Sequence, residues 1–144
     1  MHMRQATGNI RELADKIVGA VPRFDPTSRR VAVTVYRLLA EGHSVPVERL
    51  AKALDLPGQT ISQVLSRCPV FYDEQGAVIG FGGLTVAEMP PHFFRVEGRM
   101  LYTWCAWDSL FIPSILGKVA EVTSLDPVTR ASILLTVAPD GVKH

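Results

Sequence analysis

Apolar residues recur along the chain with a helical period at first and with a strand-like period afterwards. From Asn9 to Val21 they fall at Ile10, Leu13, Ile17 and Val21, a spacing that predicts an amphipathic helix ended by Pro22. A linker, PRFDPTS, follows. From Arg29 to Glu41 the apolar positions Val31, Val35, Leu38 and Leu39 again share one helical face, and Gly42 is placed to stop the helix. Two shorter helices are expected at Pro46 to Leu54 and Gly58 to Arg67, on either side of LPGQ.

Beyond Val70 the pattern shifts toward alternation. A Val70 to Val86 hairpin is expected, turning at Glu74 to Gly76, and a second pairs His92 to Val96 with Arg99 to Trp104 across Glu97 and Gly98. After the apolar run Leu110 to Leu116, which contains Pro113 and reads as a core helix or turn, two more strand-like runs are expected at Lys118 to Ser124 and Ser132 to Ala138, around LDPVTRA. The fold class predicted is α+β. A helical, winged-helix-like module over residues 1–86 precedes a mostly antiparallel β-sheet segment over 87–144 that carries a cysteine-bearing helix.

Composition narrows the function. The 144 residues are 47% hydrophobic and 20% charged, a globular balance, and the net charge of +1 gives no global attraction for nucleic acid or acidic membranes. A helix-turn-helix followed by a wing ordinarily suggests DNA binding. Here the recognition-helix position offers only Arg67 as a cation beside Gln59, Ser62, Gln63 and Ser66, too little to neutralise phosphates. Two cysteines, Cys68 and Cys105, are too few for a disulfide framework, and nothing at the N-terminus reads as a signal peptide, so the expected location is the reducing cytoplasm. No run reaches the ~18 uninterrupted apolar residues of a membrane span. The four histidines lack metal-ligand spacing, and no glycine-rich phosphate loop or Ser/His/Asp arrangement occurs.

The candidate chemistry lies in Leu101 to Gly117, LYTWCAWDSLFIPSILG. Cys105 and Asp108 stand three residues apart in an apolar, aromatic run where an unpaired carboxylate is costly to bury. If a helix begins near Trp104, the two share a face, and a thiol in its first turn feels the positive end of the macrodipole. Spacing alone favours a buried thiol beside a helix-capping carboxylate over a reactive pair. Tyr102, Trp104, Trp107 and Phe93 are candidates for lining an apolar pocket around the pair, though aromatics so spaced serve equally well as core.

The run RMLYTWCAWDSLFIPSILGKVAEVTS resembles the core segment of the organomercurial (alkylmercury) lyases, in which Tyr-x-Trp-Cys-Ala-x-Asp is followed by an apolar helix, a glycine and a strand. The similarity continues more weakly through RLLAEGHSVPVERLAKALDLPGQTISQVL, YDEQGAVIGFGGLTV and ASILLTVAP, and so covers roughly Val31 to Pro139. It implies cleavage of a carbon–mercury bond by protonolysis, with Cys105 attacking mercury and Asp108 delivering the proton. No cofactor is implied, and mercury enters as substrate and leaves as product. The implied partners are an organomercurial, cellular thiols and a mercuric reductase. In the family a further stretch supplies a second reactive cysteine; Cys68 does not fall at that position and reads as a structural thiol. On this resemblance the chain is shortened at its C-terminus, and its last apolar strand would need a partner such as a second copy. Two other readings stay open: a non-catalytic thiol binder of Hg(II) or organomercury, and a winged-helix, metal-responsive DNA-binding regulator.

Overall fold

A computed structural model describes residues 24–143 together with the isolated positions 12, 15, 16 and 19. The helix expected over 9–21 lies outside the described residues. The remaining elements are α1 (Pro26–Leu39), α2 (Val47–Leu54), α3 (Gly58–Leu65), β1 (Val70–Tyr72), β2 (Val78–Phe81), β3 (Leu84–Thr85), β4 (His92–Val96), β5 (Arg99–Thr103), α4 (Asp108–Leu116), β6 (Ala120–Leu125), β7 (Ser132–Ala138) and β8 (Gly141–Lys143). The class is α+β, as the periodicities predict.

Helix α1 starts three residues earlier than its apolar face suggests, inside the expected linker. Asp25 is its N-cap: the carboxylate accepts the Ser28 N–H at 2.8 Å and the Ser28 hydroxyl at 2.9 Å, and Pro26 occupies the first turn with its φ already suited to the helix. Val31, Val35 and Leu39 are fully buried along one stripe, flanked by Tyr36. Helices α2 and α3 each follow a proline, Pro46 and Pro57, and contribute Leu50, Leu54, Ile61 and Leu65 to the same core. Asp55 between them adopts a left-handed conformation, φ 52°, which closes α2.

All eight strands form one antiparallel sheet in the order β1-β2-β3-β5-β4-β6-β7-β8. The wing hairpin is therefore not a separate layer. β3 pairs with β5, Leu84 opposite Thr103, so one sheet includes strands from both sides of the boundary expected between residues 86 and 87. Glu97 and Gly98 both have positive φ, 50° and 76°, as a tight two-residue hairpin between β4 and β5 requires. Strand alternation divides the residues between two faces. Phe81, Leu84, Phe94, Val96, Leu101 and Val122 point toward α1 and α4 and are buried, whereas Phe93, Arg95, Met100 and Tyr102 point to the other face. The short strand β8 was not anticipated from the pattern; its three residues, GVK, carry no alternation of their own and are held by pairing with β7.

Helix α4 lies over the buried face with Ile112 and Leu116 in the core. Its internal Pro113 is tolerated in so short a helix, and Gly117, φ 67°, ends it with its N–H bonded to the Pro113 carbonyl at 2.9 Å. No helix among the described residues is long and apolar enough to cross a membrane.

Two stability predictions follow from this packing. Phe94 is fully buried on the central strand β4, so Phe94→Ala should cost about 3–5 kcal/mol, read as a lowered urea midpoint. Tyr36 is buried, and that burial, with the negative charges of Asp108 and Cys68 behind it, pushes its phenol up to about 12. The folded chain thus keeps a proton that the unfolded chain releases near 10, and the stability involved is complete below pH 10 and lost as pH rises toward 12. Tyr36→Phe should flatten that alkaline decline in denaturant titrations; Tyr72, shifted in the same direction, keeps the slope from vanishing.

Candidate active site

Strand β5 delivers the chain to Cys105. The strand ends at Thr103, and Trp104 donates its N–H to the Gly83 carbonyl at 2.9 Å, which ties the exit of β5 to the β2–β3 turn. Residues 104–107 then form a loop, and α4 begins at Asp108. The expected helix start near Trp104 is therefore corrected. Cys105 stands three residues ahead of α4, outside its first turn, because pairing of Trp104 with Gly83 extends the β5 connection past Thr103. Trp107 has helical dihedrals, φ −60° and ψ −40°.

The carboxylate of Asp108 reaches back over this loop and accepts the Cys105 N–H at 3.0 Å. The bond closes residues 105–108 into one turn ahead of the helix. The helix-capping alternative is therefore not what forms: α4 has no side-chain cap, the carboxylate bonds the loop ahead of it, and the thiol is exposed, not buried. Asp108 is half-buried, Ser109 is buried, and the Ser109 and Thr103 hydroxyls share a hydrogen bond of 2.9 Å that pins the first turn of α4 to the end of β5. An accessible sulfur and a carboxylate are therefore held in one four-residue loop anchored at both ends. The sulfur can serve as a nucleophile or a ligand for a soft metal, and the carboxylate can accept and return a proton.

The four aromatic candidates divide. Trp107 is 69% exposed within the loop itself. Trp104 packs edge-on against Phe71, with centroids 5.0 Å apart, and its indole N–H is buried with no acceptor among the described residues. Phe93 and Tyr102 stack on each other at 5.4 Å on the face of the sheet away from α4, where Phe93 helps to line an open cavity of about 380 Å³ with Arg95, Met100 and Leu134. They do not line a pocket with Cys105 and Asp108, because alternation sends their side chains opposite to those of Phe94 and Leu101. Cys68 is half-buried in another place: its thiol donates to the Val64 carbonyl at 3.3 Å, burial pushes it up, and it borders an apolar cavity of about 460 Å³ walled also by Tyr36, Phe81, Phe111 and Ile115. Cys105 is not part of that wall.

Three residues at the site escaped the pattern reading. Gly82 and Gly83, φ 49° and 99°, make the turn into β3; a side chain on Gly83 would overlap the Asp108 carboxylate, and one on Gly82 would overlap the Tyr36 hydroxyl. Tyr36 itself comes from α1 and donates its hydroxyl to the Gly82 carbonyl at 2.7 Å. The consecutive glycines were the available signal.

A helix-turn-helix module joined through one sheet to a thiol–carboxylate loop defines the class, and comparison with known proteins gives the family. Residues 11–82 match the helix-turn-helix domain of alkylmercury lyase, and residues 84–144 match the alkylmercury lyase family itself. The chain belongs to the alkylmercury lyase family. It is 50% identical over 111 residues to an alkylmercury lyase of Pseudomonas putida, covering 76% of this chain and 51% of that protein. Against the alkylmercury lyase of Streptomyces lividans it is 45% identical over 107 residues, 74% of this chain and 49% of that one. The chain thus spans about half the length of the curated relatives it matches. Its fold is similar to that of a crystal structure of the mercury-bound form of MerB2, with a TM-score of 0.70 at 19% identity over 85% of this chain and 61% of that one.

The two thiols should differ sharply in reactivity. With an aromatic disulfide reagent, one sulfur reacts quickly in the folded chain and the other only slowly. Cys105→Ser removes the fast phase and Cys68→Ser the slow one; loss of the fast phase in Cys68→Ser would contradict the placement.

Proposed function

We propose that the chain carries out the protonolysis of organomercurials, with Cys105 as nucleophile and mercury ligand and Asp108 as the acid. The observation that carries this reading is the hydrogen bond from the Cys105 N–H to Asp108, which keeps a carboxylate beside an exposed thiol in a region otherwise apolar. A compound R–Hg–X meets the sulfur of Cys105. The S–Hg bond forms, X⁻ leaves, and the thiol proton passes to Asp108. A small cellular thiol, deprotonated in turn, adds to mercury as a second sulfur ligand and raises the electron density at the Hg–C bond. Asp108 then gives its proton to the carbon as that bond breaks. R–H departs, and Hg(II) is left between two sulfurs. Summed, Cys–SH, R'–SH and R–Hg–X become Cys–S–Hg–S–R', R–H and HX, with no oxidation or reduction.

Mercury is soft and selects thiolate over harder donors, so exchange onto further cellular thiols, or transfer to a mercuric reductase, clears the product. A reducing cytoplasm, in which both cysteines stay as thiols, suits this chemistry. Trp107, exposed in the loop, offers an apolar surface for R, and Trp104 supports the loop from behind. Exposed Gln59, Ser62 and Gln63 on α3 give a DNA backbone no cation to meet, which favours the lyase reading over a regulator.

The test is release of benzene from a phenylmercury compound in excess small thiol, followed by gas chromatography. Wild type should release benzene. Cys105→Ser should neither bind the mercurial nor release benzene, whereas Asp108→Ala should retain mercury stoichiometrically and release benzene at least about 100-fold more slowly, the scale expected for loss of a positioned proton donor. Retention of mercury by wild type without any benzene would leave a thiol binder as the function.

A further inference from the structure

Resting on that reading of the Cys105 loop, we infer that Tyr36 and the Gly82–Gly83 turn are positioning residues for the Asp108 carboxylate, so that the N-terminal module is a working part of the site. The connection is made of short contacts on both sides of one turn. Tyr36 rises from α1, is 8% exposed, and packs its ring edge-on against Phe81 with centroids 5.1 Å apart. Its hydroxyl donates to the Gly82 carbonyl at 2.7 Å. The next residue, Gly83, presents its bare Cα to the Asp108 carboxylate; a Cβ placed there would stand 2.6 and 2.8 Å from the two carboxylate oxygens. The Gly83 carbonyl in turn accepts the Trp104 N–H at 2.9 Å, next to the thiol residue. One turn thus touches the loop at its entrance, through Trp104, and at its exit, through Asp108.

Each member has a physical reason to be what it is. At Gly83, φ 99° lies where L side chains rarely go, and the space a methyl would take is filled by the acid. At Tyr36, burial and the nearby Asp108 charge keep the phenol protonated far above neutrality, so it remains a donor throughout the pH range of the reaction. Removing the hydroxyl leaves the Gly82 carbonyl without this partner and frees the turn to shift toward the acid. Displacement of a proton donor by about 1 Å costs on the order of 100-fold in rate, while a thiol on the surface of the loop binds mercury as before.

The experiment compares wild type, Tyr36→Phe, Gly83→Ala and the control Val31→Ala, which loosens α1 without touching the turn. Two quantities are read. One is the Cys105 amide proton resonance in a ¹H–¹⁵N spectrum, which reports the bond to Asp108 whether or not the chain turns over. The other is the single-turnover release of benzene set against mercury retained. We expect the Cys105 amide to move upfield in Tyr36→Phe and further in Gly83→Ala, and to stay in place in Val31→Ala. Benzene release should fall about 10-fold and 100-fold in the first two, with mercury retention unchanged. An unmoved Cys105 amide in Tyr36→Phe, or an equal movement in Val31→Ala, overturns the inference. If Gly83→Ala does not fold, Tyr36→Phe decides alone. If wild type releases no benzene, the lyase reading fails for this chain, and the amide resonance still decides whether the turn positions Asp108.

Discussion

Packing of α1 and α4 side by side on one face of the eight-stranded sheet is the contact on which the rest depends. A 14-residue helix such as α1 is marginal in water by itself. It persists because Val31, Val35 and Leu39 are fully buried, each such side chain contributing about 1.5–3 kcal/mol. The nine residues of α4, interrupted by a proline, have less intrinsic preference still and owe their place to Ile112 and Leu116. Because β3 pairs with β5, the wing and the sheet beyond it are one hydrogen-bonded surface, and α1 shares a core with β5 and α4, the elements that flank the Cys105 loop.

That arrangement explains how a polar pair survives in an apolar segment. The carboxylate of Asp108 is half-buried, but a backbone N–H meets one of its oxygens and a bare glycine makes room for both. The thiol of Cys105 stays at the surface, open to reagents from solvent. Cys68 has the opposite character: bonded to a carbonyl of the preceding helix α3 and pushed toward the neutral thiol by burial, it is a packing residue. The two sulfurs of the chain are thus separated by environment, one accessible in a loop and the other packed at the edge of the core.

Much of this was legible in the sequence. The apolar stripe of α1, the two short helices, both hairpins and the thiol–acid pair could be read from spacing, and the family from the residues around Cys105. The start of α1 was hidden in what reads as a linker, since Asp25-Pro26-Thr27-Ser28 is equally a turn and a helix start until a buried stripe follows it. The helix behind Cys105 was set too early, because local periodicity does not register that Trp104 is held to Gly83, twenty-one residues back. Of Phe93 and Phe94, which straddle the faces of β4, the sequence does not say which faces the thiol; the register that pairs Phe93 with Tyr102 puts both on the face away from α4. Tyr36 could not have been found at all from its surroundings in the chain, since its role depends on a carbonyl forty-six residues away.

The hydrogen bond that closes the loop between Cys105 and Asp108 has an evolutionary consequence. It holds the carboxyl against the Cys105 backbone, and the two residues it encloses, Ala106 and Trp107, are exposed. Neither side chain takes part in the bond that closes the loop. A lineage built on this fold can therefore exchange the residue at the Trp107 position, the one the Cys-Ala-x-Asp pattern leaves open, and inherit the bond across the loop intact.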